Sequence, residues 1–305
     1  MIFTFLQIDL PAMLVGTLAA LVCALVGNFL VLTRQSMFGD AVGHVVLPGI
    51  VIAYVVTGTT ATWVMLAGAA AAALAAAGLV EFFRRVAGVE PSAALGTVFT
   101  AMFALGVVLL EQTGVARTTF DVHHILYGNV EAAIWPAAVD FSSLVDPQAL
   151  AALPPQIGRL AFGLAVVLAV IVVCFKELRL VSFDPVFAAT LGLSPRLVGT
   201  VIVALAALAA VVSLEAVGVI LVVAMMVCPP AAARMLTDDL ATQVRISAVI
   251  ALASGVLGYA AAAFLPAAFG SPISLGAAGT IAVTAGLFQL AAMLFGPKRG
   301  APRRA

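Results

Sequence analysis

The stretch PAMLVGTLAALVCALVGNFLVLT at 11–33 runs for 23 positions without a charged residue. About 20 such residues are enough for an α-helix to cross the hydrocarbon core of a bilayer. The rest of the 305-residue chain is similar, because 64% of it is hydrophobic and only 9% is charged. Soluble domains have about 45–50% apolar and about 25% charged residues. The composition therefore excludes an ordinary cytosolic enzyme, a disordered chain and a nucleic-acid binder, and it predicts an all-α polytopic membrane protein.

Apolar runs on either side of this stretch predict about nine transmembrane segments, with eight as the alternative. The segments are 11–33, 41–57, 60–83, 93–112, 160–180, 197–214, 217–236, 243–265 and 275–296. Segment 41–57 is short and contains Gly43, Pro48 and Gly49, so a broken or re-entrant segment is an alternative to a complete span. Residues 132–145 are too short and too polar to cross, and we interpret them as interfacial.

The basic residues predict the orientation of the segments, because cytoplasmic loops of membrane proteins are rich in Lys and Arg. With the N-terminus outside, 12 of the 14 basic residues fall at cytoplasmic ends, and only Arg117 and Arg159 fall outside. The 12 are Arg34, Arg84, Arg85, Lys176, Arg179, Arg196, Arg234, Arg245, Lys298, Arg299, Arg303 and Arg304. We therefore expect an external N-terminus, a cytoplasmic C-terminus and one transmembrane domain over 1–305. The loop 113–158 is then extracytoplasmic, and its acidic residues are either ordinary solvated groups or a rim that attracts cations.

Two ionisable residues, Asp40 and His44, stand at the start of the second segment in RQSMFGDAVGHVVLPGI at 34–50. Ionisable groups inside a membrane usually face a cavity or a partner, and they are candidates for function. In a helix their spacing of four places both on one face. A carboxylate and an imidazole suit Mn²⁺, Fe²⁺ or Zn²⁺. The alternative is an Asp–His hydrogen bond that only fixes the entry of the helix.

The other two histidines, His123 and His124, follow Asp121 in FDVHHILYGN, just outside the fourth segment. All three histidines of the chain lie in these two stretches, each of which also contains an aspartate. This placement favours a role in binding cations over a coincidence of sequence. We take Asp121 and His124 as weaker metal candidates, with an ordinary external turn as the alternative.

Further candidates are less specific. Glu111 and Glu215 lie near outer ends of segments, where their carboxylates reach water. Met225, Met226 and Cys228 resemble a soft-metal site, although methionines in an apolar helix more often serve packing.

Prolines mark positions where the helices are expected to bend. Pro229 and Pro230 should break or kink the seventh segment. Pro48 should do the same in the second segment. We therefore predict that Pro48 and Pro229 take part in gating or in close packing.

Motifs for ATP hydrolysis and for hydrolytic catalysis are missing from the chain. A GxxxxGK[ST] loop is absent, since the only lysines, Lys176 and Lys298, have the wrong neighbours. No HExxH or GxSxG motif occurs. We expect a transport subunit that is not an enzyme and holds no permanent cofactor, so energised transport would need ATP hydrolysis by a partner.

Four blocks of the chain resemble the permease subunits of the zinc, manganese and iron ABC importers, the ABC-3 family. They are RQSMFGDAVGHVVLPGI at 34–50, DVHHILYGN at 121–129, FDPVFAATLGLSP at 183–195 and AVGVILVVAMMVCPPAAARML at 216–236. The blocks stand in the family's order. The sequence departs from the family pattern at Gly43, Pro230 and Ala232, where Ser, Ala and Thr are usual, and residues 130–158 look like an insertion.

The resemblance implies that Asp40 and His44 match the positions associated with metal coordination, and that Asp121 and His124 match a block of less certain role. Residues 183–195 resemble a cytoplasmic segment of the family. By the charge count they lie inside, and FAATLGL between Pro185 and Pro195 can form a short helix suited to docking on an ATP-binding partner. In this segment we single out Asp184, Ala188 and Gly192. A plain loop capped by prolines is the alternative.

The function we expect is the permease subunit of an ATP-driven importer for manganese, zinc or iron(II) in the inner (cytoplasmic) membrane. Its expected partners are an ATP-binding subunit, an extracytoplasmic metal-binding protein, a second copy of the chain in a homodimer, and membrane lipid, with no nucleic acid. The alternative is a stand-alone secondary transporter or channel for divalent cations. An intramembrane enzyme is disfavoured by the missing catalytic motifs.

Overall fold

The structure is a computed structural model that describes residues 5–33, 35, 38–59, 61–113, 130–138, 140, 143, 146–268 and 275–297. This part of the chain is helical and contains no β-strand, as the predicted all-α class requires. The helices are α1 (Leu10–Leu32), α2 (Phe38–Thr57), α3 (Thr62–Val86), α4 (Pro91–Thr113), α5 (Pro147–Ala151), α6 (Pro155–Val173), α7 (Phe175–Phe183), α8 (Pro185–Thr190), α9 (Pro195–Leu236), α10 (Leu240–Ala268) and α11 (Ala277–Phe295). A π-helical turn, Phe5–Asp9, leads into α1.

Seven helices of the described part are long and apolar enough to cross a membrane, namely α1, α3, α4, α6, α9, α10 and α11. Helix α2 contains a shorter apolar stretch, Leu47–Thr57. It is nevertheless one continuous helix with Pro48 inside it, which argues against the broken segment considered above. The predicted span 160–180 is shifted towards the N-terminus, because α6 begins at Pro155 and ends at Val173, and a separate helix, α7, follows.

Helix α9 reverses its direction at Gly218, where φ is 77° and ψ is 168°. Before this residue, Glu215 forms an ion pair with Arg159 near the start of α6. After it, the guanidinium carbon of Arg234 lies 5.5 Å from the centre of the Phe183 ring, beyond the other end of α6. Residues 195–217 and 219–236 are therefore antiparallel, and they correspond to the two predicted segments 197–214 and 217–236.

The two prolines of the predicted segment 217–236 do not interrupt the helix as expected. The backbone stays helical through Pro229 and Pro230, both of which are buried. Helix-breaking residues are tolerated in membrane helices because neighbouring helices and local adjustments satisfy the freed backbone groups. Gly218 adopts a positive φ that a residue with a side chain rarely reaches.

The described basic residues collect at one end of the bundle, which we name the basic end. They are Arg84, Arg85, Lys176, Arg179, Arg196, Arg234 and Arg245, whereas Arg159 lies at the opposite end, the loop end. The orientation of the chain in the membrane was predicted from this clustering of basic residues at one end. Which end faces the cytoplasm stays a prediction, as does the count of nine spans.

The core forms around α1 and α9, which pack closely against each other. Gly27 of α1 is essential to this packing, because a Cβ atom at this position would overlap the carbonyl oxygen of Met226. Membrane helices pack through such small residues, which let the two backbones approach. At the loop end, Trp135 and Ala138 of the predicted interfacial range form a cap with Leu6 and Ala149: Trp135 is buried against Leu6, and its indole nitrogen donates to the carbonyl oxygen of Ala149 at 2.8 Å.

Candidate metal site and coupling segment

Helix α2 carries the predicted metal residues in its first two turns. The backbone of α2 is continuous helix from Asp40 to His44, and the two residues are four positions apart. They therefore share one face, as the sequence spacing predicted. The same helix packs closely on its neighbours through small residues. A Cβ atom on Gly106 of α4 would lie 2.9 Å from Pro48 Cδ, and a Cβ on Gly68 of α3 would lie 2.5 Å from the Gly49 carbonyl oxygen.

The imidazole of His44 is half-buried and lies between two aromatic side chains of α4. Its ring stacks on Phe99 at a centroid distance of 6.0 Å and an interplanar angle of 5°. It meets Phe103 edge-on at 5.0 Å and 77°. Stacked and edge-on pairs are the favoured geometries of aromatic rings. The two phenylalanines restrict the ring plane and hence the directions in which its nitrogens can bind an ion. Sequence reasoning missed both of them.

The weaker metal candidates, Asp121 and His124, lie outside the described residues, as does His123. Within the described part of the chain, no group of three His, Cys, Asp or Glu side chains is close enough to hold a metal ion. A set of three such side chains that includes His44 would draw on residues outside this part or on a second chain.

Four of the five remaining candidates take part in contacts within the fold. Arg159 donates from Nη1 to the Glu215 carboxylate, so Glu215 is part of an ion pair. Met225 and Met226 are fully buried in the main core, and Cys228 packs at its edge. We therefore assign these three residues to packing. Glu111 is exposed near the end of α4.

The predicted coupling segment 183–195 contains the short helix α8 at the basic end. Asp184 caps it, since its Oδ1 accepts a hydrogen bond from the Phe187 backbone nitrogen at 2.9 Å. Gly192 follows with a φ of 82° and turns the chain towards α9. Ala188 is completely buried, so its part in the segment is to anchor the helix on the bundle.

The opposite face of α8 is apolar and exposed. Val186 is 75%, Phe187 51% and Leu191 60% exposed. These three side chains form a surface that we name the α8 face. Sequence reasoning singled out the capping and anchoring residues and missed this face, although the helical spacing in PVFAATL could have indicated it.

An all-helical bundle with an ionisable pair in an apolar helix and an exposed apolar helix at its basic end defines a polytopic membrane permease. The chain belongs to the ABC 3 transport family, whose family model matches residues 5–294.

Named relatives and a solved structure agree with this assignment. The manganese transport system membrane protein MntD of Bacillus subtilis (strain 168) is 38% identical over 285 residues, which are 93% of this chain and 91% of the relative. The zinc transport system membrane protein TroC of Treponema pallidum (strain Nichols) is 33% identical over 298 residues, 97% of this chain and 92% of the relative. The structure of PsaBC from Streptococcus pneumoniae in complex with Fab matches with a TM-score of 0.73 and 27% identity, covering 95% of this chain and 92% of that chain.

Proposed function

We propose that this chain is the membrane permease subunit of an ABC importer that carries Mn²⁺, with Zn²⁺ as the competing cargo. The observation that carries the proposal is the family match over almost the whole chain, together with relatives named for manganese and zinc transport. A carboxylate combined with an imidazole is a mixed oxygen and nitrogen donor set. Mn²⁺ prefers oxygen donors, whereas Zn²⁺ also binds sulfur, so a set without sulfur favours Mn²⁺.

In this proposal Asp40 and His44 bind the travelling ion. An ion that leaves water needs compensating ligands at membrane depth, and one carboxylate plus one neutral imidazole supply them with a single negative charge. Two ligands from one chain are too few for a divalent ion. A two-fold homodimer would supply four by bringing the same face of α2 from both copies together.

The proposed ATP-binding subunit docks on the α8 face at the basic end, which we place in the cytoplasm. Aromatic side chains such as that of Phe187 are enriched at protein interfaces, and the core of an interface is apolar. The capped and anchored helix α8 holds the side chains of this face rigidly, so a movement of the partner would be transmitted to α9 through Gly192. ATP hydrolysis belongs to that partner. An extracytoplasmic metal-binding protein would deliver the ion at the loop end, and the complex would lie in the cytoplasmic membrane.

The experiment is metal uptake by the permease assembled with its ATP-binding subunit and its metal-binding protein in proteoliposomes. Uptake of Mn²⁺ should exceed that of Zn²⁺ at equal free concentration. The variants Asp40→Asn and His44→Ala should abolish uptake without loss of assembly, whereas Glu111→Gln, a matched exposed carboxylate, should transport normally.

Two outcomes would reject parts of the proposal. If His44→Ala transports normally while changes at Asp121 or His124 abolish uptake, the ion site lies in the extracytoplasmic loop. If uptake proceeds without ATP or without the ATP-binding subunit, the chain is the stand-alone secondary transporter or channel.

A further inference from the structure

A groove of about 460 Å³ opens between α10 and α11 at the basic end of the bundle. On the α11 side it is lined by Ala291, Ala292 and Gly296, whose small size leaves the space unfilled. Phe288 of α11 and Val249 of α10 add larger apolar side chains to the walls. Both helices are long and apolar enough to span a membrane, and Val249 is 62% exposed, so the groove opens towards the bilayer.

Arg245 is the one charged residue among those that line this groove. Within the described part of the chain it has no ion pair within 4 Å. Its charge helps to lower the pKa of the Asp239 carboxyl, after the hydrogen bonds from Thr242. Asp239 is engaged elsewhere, since it accepts the backbone and hydroxyl hydrogen bonds of Thr242 at 2.9 Å each and lies 3.9 Å from Arg179. Among the described residues, therefore, no carboxylate occupies the guanidinium of Arg245.

Arg245 lies close to the first residue of α10, near the basic end of the bundle. It is the sixth residue of α10, about 7.5 Å along a helix that rises about 1.5 Å per residue. The apolar walls continue from there along α10 and α11, away from the basic end. A cation above an apolar slot is complementary to a phosphate carried on an acyl chain, and basic pockets between membrane helices bind anionic lipid headgroups.

We propose that this groove binds an anionic phospholipid, with the phosphate on Arg245 and an acyl chain along Val249 and Phe288. A second copy of the chain is a poorer occupant, because an apolar protein surface would bury the guanidinium without an anion, at a high desolvation cost.

The test uses the purified full-length chain and native mass spectrometry with two lipids, phosphatidylglycerol and zwitterionic phosphatidylcholine. Phosphatidylglycerol should be retained and should raise the Tm. Arg245→Gln should weaken its retention about tenfold or more, as expected for loss of a charge-assisted hydrogen bond. Ala291→Phe should fill the groove and weaken both lipids. Arg196→Gln, which removes an exposed arginine at the same end away from the groove, should change neither.

Other outcomes would overturn the proposal. Equal retention of the two lipids, or unchanged retention in Arg245→Gln, would show a general lipid-facing surface. Equal protection by inorganic phosphate would show an anion site without a lipid. A loss of dimer in Ala291→Phe with no effect of phosphatidylglycerol would assign the groove to a second copy.

Discussion

Gln243 of α10 donates from Nε2 to Oδ1 of Asn28 in α1 at 3.1 Å, and both side chains are completely buried. Asn28 in turn donates from Nδ2 to the carbonyl oxygen of Ala24 at 2.7 Å. This pair fixes the register of two helices that are 215 positions apart in the sequence. Such interhelical bonds are worth about 0.6 kcal/mol on average in membrane proteins, with a maximum of about 1.7.

We predict that Asn28→Leu lowers the stability of the bundle by about 1 kcal/mol, because it leaves the Gln243 amide without this acceptor. The double variant Asn28→Leu with Gln243→Leu should recover part of the loss. A double-mutant cycle on thermal unfolding in detergent measures the coupling. Strict additivity of the two single changes would show that the bond contributes nothing.

The close approach of α1 and α9 gives a second prediction. Gly27→Ala places a methyl group against the Met226 carbonyl, which is backbone and cannot rotate away. The variant should lose about 1–3 kcal/mol of stability and much of its folded yield. Gly286→Ala is the matched control, since a Cβ at Gly286 meets nothing within 4 Å. Equal folded yields of the two variants, measured by size-exclusion chromatography, would contradict the close approach of Gly27 to the Met226 carbonyl.

Much of the fold could be predicted from the sequence, because each span is a local property of composition. Bends and helix ends were less predictable, because the local preference of a residue competes there with the packing of neighbouring helices. Pro229 and Pro230 were expected to break or kink segment 217–236, but the backbone stays helical through these buried prolines. The reversal at Gly218, in contrast, falls close to the predicted boundary between segments 197–214 and 217–236. The division of 160–180 into α6 and α7 was missed because the hydrophobic run continues past Val173 to Phe175.

The candidate site could be predicted in part. Asp40 and His44 are four positions apart, so their shared face follows from helix geometry alone. The aromatic rings that hold His44 come from α4, 55 and 59 positions further along. Such a contact depends on how helices pack, and a single sequence does not contain that information. The cap formed by Trp135 and Leu6 was missed for the same reason.

The ion pair between Arg159 and Glu215 yields a third prediction. Both side chains are partly exposed, and pairs of this kind contribute about 0–1 kcal/mol. Glu215→Gln should therefore change the Tm little and should leave metal uptake intact, because this carboxylate serves the guanidinium of Arg159. A loss of uptake with unchanged stability would return Glu215 to the list of metal candidates.

The α8 face yields a fourth prediction. Phe187→Asp should abolish co-purification of the ATP-binding subunit and metal-stimulated ATP hydrolysis, while the permease still inserts. Phe187→Leu keeps the face apolar and should retain both. Ala188→Lys should instead lower the folded yield, because Ala188 is completely buried. Normal ATPase stimulation in Phe187→Asp would show that the partner docks elsewhere.

The last prediction concerns the edge-on contact between His44 and Phe103. Aromatic pairs contribute about 0.5–1.5 kcal/mol beyond their buried area. Phe103→Leu removes this contact and keeps an apolar side chain, so the imidazole becomes less well oriented for the ion. The metal concentration for half-maximal uptake should rise about two- to tenfold, with assembly and maximal rate little changed. Phe103→Tyr keeps the ring and should behave as the unmodified chain does. Phe82→Leu, a change at an exposed aromatic residue of α3, controls for the loss of a ring elsewhere. If Phe103→Leu leaves the concentration dependence unchanged while His44→Ala abolishes uptake, other contacts orient the imidazole and Phe103 only fills space.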